Sequence, residues 1–107
     1  MEDDLELVHF GFGCAIHPNV RIGRRVKIFH HVTIAAETSE RSASPIVIED
    51  DCVIGAYAII LGNNRGGIVI GKGAVIAAGA IVNRDVPPGA TMVPMPARAV
   101  PPGKTYA

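Results

Sequence analysis

The 107-residue chain carries ten basic and ten acidic side chains, so its formal net charge is zero and its pI is near 6.9. Such a balance disfavours electrostatic binding to nucleic acid or to an acidic membrane surface. The length predicts a single domain, residues 1–107. No apolar run approaches the ~18 residues that span a bilayer, and the first residues are acidic, which together predict a soluble, cytoplasmic protein.

Aliphatic residues recur every six positions along most of the chain. A six-residue period fits neither an amphipathic helix nor an alternating strand, but it suits a short strand and a turn repeated around a three-sided prism. We therefore predict an all-β fold, a parallel β-helix in which each repeated residue stacks on the one three repeats away. The repeated positions are Ile16, Ile22, Ile28, Ile34, Ile48, Ile54, Ile60, Ile70, Ile76 and Val82.

The six-residue period is interrupted twice. The interruptions fall in polar stretches, which predict extruded loops at about residues 36–45 and 62–67. The repeats themselves take about residues 10–87, and residues 88–107 form a short C-terminal extension. Counting repeats from Ile16 places both loops at one corner of the prism, one coil apart.

Two adjacent histidines, His30 and His31, occupy a different corner in the same count. Tyr57 lies above them in the next coil, and small residues, including Ala56 and Ala78, continue the stack. Small residues above a polar corner leave a groove, and a histidine is a suitable general base near neutral pH. His30 is our first candidate base and His31 the second, although solvated turn residues would show the same pattern.

The residues just before the repeated positions are polar early in the chain and aliphatic later. Exposed aliphatic stripes of this kind indicate an interface between subunits. In such an assembly the loop corner of one chain would lie over the histidine corner of the next. The aliphatic positions are Val47, Val53, Ile59, Val69, Val75 and Ile81.

The period also resembles the [LIV]-[GAED]-x-x-[STAV]-x repeat of the hexapeptide acyltransferases, and IGKGAVIAAGAIVNRDVPPGATMVPMPARAV resembles their C-terminal signature. The resemblance covers about residues 14–100 and implies a left-handed coil. It also implies a homotrimer with a site between subunits, acetyl-CoA as cosubstrate, and transfer of an acetyl group to a small polar acceptor.

Within that family the serine acetyltransferases and related small acetyltransferases are the most similar, in two alternative alignments. In the first, the segment AIHPNVRIG resembles the IHPxxxIG entry segment of those enzymes, which puts His30 at the place of a catalytic histidine and Phe29 at the place of its partner aspartate. In the second, FHHVTI resembles the HHVTLGG segment one coil later, where the histidines are not catalytic. The two alignments differ by one full coil.

The resemblance also implies residues that hold the cosubstrate. Ala56 and Ala78 match small residues beside the pantetheine arm, and Asn83 and Arg84 match a Thr-Lys pair. Arg98 matches a cation near the phosphates. Tyr57 is a candidate for the acceptor pocket.

Two other functions remain open on the sequence. The first is a trimeric binding or scaffold protein without catalysis, because Ser44 stands where the loop histidine of the family precedes proline. The second is a metal hydratase of the γ-carbonic anhydrase type, which needs three converging histidines. Adjacent His30 and His31 with distant His17 do not provide that arrangement, and the two cysteines are too few for a thiolate site, so we predict no metal.

Overall fold

The computed structural model describes residues 5–35, 45–62 and 67–103. Each strand has two or three residues, as expected where a six-residue repeat includes both a strand and a turn. Within the described residues no helix is long and apolar enough to cross a membrane. The strands are β1 (Glu6–Leu7), β2 (Ala15–Ile16), β3 (Val20–Ile22), β4 (Lys27–Ile28), β5 (Thr33–Ala35), β6 (Ile46–Ile48), β7 (Val53–Ile54), β8 (Ile59–Leu61), β9 (Ile68–Ile70), β10 (Val75–Ile76), β11 (Ile81–Val82) and β12 (Thr91–Met92).

The strands form three parallel sheets, which are the faces of a prism. The first face has the order β1-β4-β7-β10-β12, the second β2-β5-β8-β11 and the third β3-β6-β9. From β1 to β11 successive strands move from one face to the next, so every third strand returns to the same face one coil higher. Between β11 and β12 the third face is represented only by a single bridge from Ile70 to Val86. In the first face Ile28, Ile54 and Ile76 are in register. The predicted all-β parallel β-helix is confirmed.

The repeated aliphatic residues point into the prism. Ile28, Ile54 and Ile76 are fully buried, whereas Ile16 and Ile22 are half-buried because they lie in the first coil, with less protein beneath them. Each fully buried isoleucine contributes roughly 1.5–3 kcal/mol of gross hydrophobic stabilisation. The column of identical side chains therefore forms the core, as the six-residue period predicts.

Both predicted loops connect the second face to the third. Strand β5 ends at Ala35 and β6 begins at Ile46, while β8 ends at Leu61 and β9 begins at Ile68. Since β5 pairs with β8 and β6 pairs with β9, the two connections leave the same corner one coil apart. We call this the loop corner. Residues 36–44 and 63–66 of these loops lie outside the described residues.

Strand pairing begins earlier and ends later than the repeat count suggests. Leu7 pairs with Ile28, and Met92 pairs with Ile76. The period does not reveal Leu7 because it precedes Ile16 by nine positions, one repeat plus three residues. Those extra residues belong to a turn over Val8–Gly11 that joins β1 to the second face.

A second corner joins the third face to the first and is rich in charge. We call it the charged corner and define it as residues 23–25, 49–51 and 71–73. The Arg25 guanidinium binds the Asp51 carboxylate at 2.6 Å from Nε to Oδ1. The Asp50 carboxylate accepts a hydrogen bond from the Arg24 backbone N–H at 2.7 Å. The carboxylates of this corner thus bind groups of neighbouring coils.

Candidate functional site

The remaining corner, between the first and second faces, carries the predicted histidines. We call it the histidine corner and define it as residues 8–14, 29–31, 55–57 and 77–79. Its turns are joined by backbone hydrogen bonds from Tyr57 N–H to His30 O at 3.1 Å and from Gly79 N–H to Ala56 O at 2.9 Å. His30, Tyr57 and Gly79 therefore lie on consecutive turns, as the sequence predicts.

The side chains of these turns form a cluster of rings. The His31 ring stacks on Tyr57, with centroids 4.8 Å apart and an angle of 19° between planes. The His30 ring meets Tyr57 edge to face at 5.6 Å and His31 in the same manner at 5.6 Å. Such offset and edge-to-face pairs are the favoured arrangements of aromatic rings. The three side chains therefore hold one another in place.

The turn below adds two rings that the sequence did not single out. His9 lies edge to face against His30, with centroids 5.0 Å apart, and Phe12 lies against His31 at 5.4 Å. A hydrogen bond from His31 N–H to Phe12 O, 2.8 Å long, fixes this turn to the corner. The nine-residue step before Ile16 breaks the period, so counting repeats could not place His9 at the histidine corner.

Several residues of this corner have backbone angles that side chains rarely adopt. His9 has φ 56°, Phe10 φ 60°, His31 φ 55° and Tyr57 φ 63°. Residues other than glycine are uncommon in this left-handed region. Arg25 and Asp51 of the charged corner have the same angles, so the angles belong to the turn of the coil. Gly13 passes so close to the His31 ring that a Cβ atom there would overlap it.

His30 has an unusual hydrogen-bonding position. Its Nδ1 atom is buried and has no hydrogen-bond partner among the described residues. In acid–base catalysis by histidine a carboxylate often holds that nitrogen and fixes the ring. Here the neighbouring rings fix the orientation of His30, which agrees with Phe29 standing where the first alignment has an aspartate.

A shallow, open depression of about 340 Å³ lies beside this ring cluster and is lined by His9, Phe12 and His30. Phe12 is 70% exposed and Tyr57 is 59% exposed. Apolar ring surface is therefore accessible to a ligand at this corner.

The residues matched to a cosubstrate lie in three places. Ala56 and the exposed Ala78 continue the histidine corner upward and leave its outer surface open. Asn83 and Arg84 follow β11 and so lie at the loop corner, where both are exposed. Arg98 is an exposed residue of the segment after β12. One chain therefore does not bring these five residues to a single corner.

His17 lies between β2 and β3. Its Nδ1 accepts a hydrogen bond from the Asn19 backbone N–H at 3.0 Å, so this side chain stabilises the turn. No group of three His, Cys, Asp or Glu side chains in residues 5–35, 45–62 and 67–103 is placed to hold a metal ion.

Comparison with known proteins agrees with this architecture. Residues 45–84 match the family described as the hexapeptide repeat of succinyl-transferase. A 2,3,4,5-tetrahydropyridine-2,6-dicarboxylate N-acetyltransferase of Staphylococcus aureus (strain JH9) is 45% identical over 78 residues, which are 73% of this chain and 31% of that protein.

Solved structures of serine acetyltransferases are similar in fold and sequence. The soybean enzyme complexed with serine has a TM-score of 0.75 and 40% identity, covering 90% of this chain and 37% of that one. The Brucella abortus enzyme in complex with coenzyme A has a TM-score of 0.74 and 32% identity, covering 88% and 36%.

The chain thus belongs to the hexapeptide-repeat family of left-handed β-helix proteins that includes these acetyltransferases. The predicted left-handed fold and the predicted family are confirmed. The chain spans about a third of the length of these relatives.

Proposed function

We propose that this protein is an acetyl-CoA-dependent acetyltransferase whose acceptor binds at the histidine corner. The observation that carries the proposal is the cluster of His30, His31 and Tyr57 on one corner of the coil, with Ala56 beside Tyr57 and Ala78 on the turn above. A groove of small residues suits an extended pantetheine arm, and a histidine at its end suits removal of a proton from an acceptor. The relatives named above are acetyltransferases.

In this proposal His30 accepts the proton of an acceptor hydroxyl or amino group while that group attacks the thioester carbonyl. The new bond joins the acceptor to the acetyl carbon, the carbon–sulfur bond breaks, and the proton passes from His30 to the departing CoA thiolate. Backbone N–H groups of the turns would stabilise the oxyanion. His31, stacked on Tyr57, keeps the corner rigid and is the second candidate base.

We further propose a homotrimer in which each site is shared by two chains. Within one chain Arg84 lies at the loop corner and Ala78 at the histidine corner, one face apart. A neighbouring subunit whose loop corner meets the histidine corner would bring a cation such as Arg84 beside the groove, where CoA phosphates need one. The outward Val69 and Ile81 are 40% and 67% exposed, which suits such contacts.

Two measurements test this proposal: titration calorimetry measures binding of acetyl-CoA, and sedimentation velocity measures the oligomeric state. We expect a trimer of the 11.2 kDa chain that binds acetyl-CoA. Ala78→Leu fills the groove and should weaken binding at least about tenfold through steric exclusion. Lys72→Leu, at the middle position of the preceding turn of the charged corner, is the matched control and should bind like the unmodified protein.

The alternative is a scaffold protein that kept the coil and lost catalysis, which the lack of a hydrogen-bond partner for His30 Nδ1 within the described residues favours. A folded trimer that does not bind acetyl-CoA would establish that alternative. If Ala78→Leu binds as tightly as the unmodified protein, the groove lies elsewhere on the coil.

A further inference from the structure

The histidine corner is widest in the first coil. Seven residues, 8–14, connect β1 to β2, whereas four residues make the equivalent connection in each of the next three coils. The extra residues cannot enter the prism, because buried aliphatic side chains such as Ile28 and Ile34 fill it. They therefore project outward, and we call residues 8–14 the projecting turn.

The projecting turn carries exposed aromatic rings on a rigid backbone. Phe10 is 100% exposed, so none of the described residues covers its ring, and Phe12 is 70% exposed. A hydrogen bond from Phe12 N–H to His9 O at 3.2 Å and one from Cys14 N–H to Gly11 O at 3.1 Å hold the backbone. Binding a partner through such a turn requires little further ordering. Exposed aromatic side chains of this kind are typical anchors of protein interfaces.

The loop corner has the opposite shape, because it is narrow in the first coil. Three residues, 17–19, connect β2 to β3, whereas ten connect β5 to β6 and six connect β8 to β9. We call residues 17–19 the short turn. The hydrogen bond between His17 Nδ1 and the Asn19 backbone N–H holds this turn, and Pro18 is exposed at its middle.

The symmetry of the proposed trimer, on which this inference rests, brings the two turns together. Corners that meet along their whole length need a threefold axis parallel to the coil, and rotation about such an axis leaves every turn at its own height. The projecting turn therefore faces the short turn of the next chain, and the four-residue turns above it face the longer connections. The second face lies toward the axis, and the charged corner lies on the outside.

We infer that Phe10 of each chain packs on Pro18 of the next chain and that this contact, repeated three times, stabilises the trimer. The occupant of the exposed ring is thus a second copy of the chain. Both side chains lose apolar surface to water in this contact, which is favourable. The projecting turn has the sequence VHFGFGC and the short turn HPN, so the contact buries no carboxylate, lysine or arginine that would need a partner.

Sedimentation velocity over a dilution series measures the contribution of Phe10. Phe10→Asn removes the ring, and asparagine tolerates the positive φ of 60° at this position. We expect the concentration at which half of the trimer dissociates to rise at least about tenfold, as for an aromatic anchor of an interface. Arg25→Asn is the matched control, since Arg25 also has a positive φ of 56° but lies at the charged corner. The inference is overturned if the two variants dissociate alike.

Cysteine cross-linking identifies the residue that Phe10 meets and does not require the trimer to dissociate. In a Cys14→Ala background, Phe10→Cys combined with Pro18→Cys should form disulfides between chains under mild oxidation, because the two residues are in contact. A denaturing gel would then show covalent dimers and trimers. Phe10→Cys combined with Arg25→Cys is the control pair and should remain monomeric on the gel. Equal linking of both pairs, or none of the first, would contradict the contact.

The outcomes separate this inference from the proposed function. A protein that is monomeric at every concentration would remove the proposed trimer and the inference with it. A trimer that Phe10→Asn does not weaken would remove the inference alone and leave the shared site as proposed. A trimer that depends on Phe10 but transfers no acetyl group would keep the inference and remove the proposed activity.

Discussion

At the histidine corner the coil turns through left-handed residues such as His31 and Tyr57, and at the charged corner it does the same through Arg25 and Asp51. The backbone of the two corners is alike, because the same hydrogen bond joins each turn to the turn below it. The side chains differ completely. Rings stack on rings at one corner, whereas an ion pair and carboxylates occupy the other. The repeated fold therefore provides equivalent positions, and only the residues placed there decide which one becomes a site.

The largest expected effect is a difference in activity between a substitution at the histidine corner and one at the charged corner. His30→Ala should lower kcat about 10²–10⁴-fold, the usual contribution of a general base. Arg25→Ala, at the charged corner, should change kcat less than about twofold because an exposed ion pair contributes little beyond its own contact. Steady-state release of CoA measures both. Equal loss in the two variants would assign the activity to the fold as a whole.

The second effect compares the two cysteines, one at each corner. Cys52 closes a turn of the charged corner and is fully buried, and this burial raises the pKa of its thiol. Cys14 lies in the first coil at the histidine corner and is half-buried. A thiol-specific reagent should therefore label Cys14 at least about 100-fold faster than Cys52, which reacts only when the coil opens. Mass spectrometry of the labelled peptides distinguishes the two sites.

Both cysteines donate a hydrogen bond to a backbone carbonyl, Cys14 to Phe29 O at 3.1 Å and Cys52 to Gly71 O at 3.2 Å. Burial is therefore the main difference between them, and Cys14→Ala provides the control that assigns the fast phase. Rapid labelling of Cys52 in the folded protein would contradict the closed core.

The third effect tests whether the turns at the two corners pack against the coil above in the same way. A Cβ atom on Gly55 would lie 2.6 Å from Ala78 N, and one on Gly71 would lie 2.5 Å from Pro88 N. Gly55→Ala and Gly71→Ala should each lower the free energy of unfolding by about 1–3 kcal/mol, since the coil above must move. Chemical denaturation of the two variants measures the loss of unfolding free energy for each corner.

The matched controls are Gly79→Asn and Gly73→Asn, which introduce a larger side chain where nothing lies within 4 Å. Both glycines have positive φ, 78° and 74°, which asparagine tolerates better than other residues. We expect a loss below about 1 kcal/mol. A greater loss in the asparagine variants than in the alanine variants would refute the stacking inferred for these turns.

The smallest effect concerns the ion pair of the charged corner. The hydrogen bond from Arg25 holds the pKa of the Asp51 carboxyl below its ordinary value of 3.8. A lowered pKa in the folded state means that the stabilisation is fully present above pH 3.8 and is lost as the pH falls through the folded-state pKa. The Tm difference between the protein and Asp51→Asn should therefore shrink at acidic pH. A difference that grows below pH 3.8 would contradict the pairing.

Much of the fold can be read from the sequence because one physical requirement repeats. Residues such as Ile54 and Ile76 must stack, so their spacing shows which side chains point inward and where the loops leave the coil. The relation between His30 and Tyr57 followed from the same count. The hand of the coil did not, since stacking at a fixed interval is equally possible in either hand, and it came from the resemblance.

The site was only partly predictable. Phe12 and His9 reach the histidine corner through a turn with three extra residues, and no period indicates how such a turn folds back. The contacts that bring His9 to His30 are between rings, which have no signature in spacing. The separation of Ala78 from Arg84 by one face is likewise visible only from the sheet order. A linear motif does not show that its parts lie on different corners.

The stacking of turns at the histidine corner also fixes distances along the coil axis. Adjacent strands of a sheet are about 4.8 Å apart, so each coil raises the next turn by that distance. The reach from His30 to any point farther up the groove can therefore change only in whole steps, by gain or loss of a complete circuit of the chain. Point substitutions change the walls of the groove, while the number of coils sets the length of the ligand that the groove accommodates.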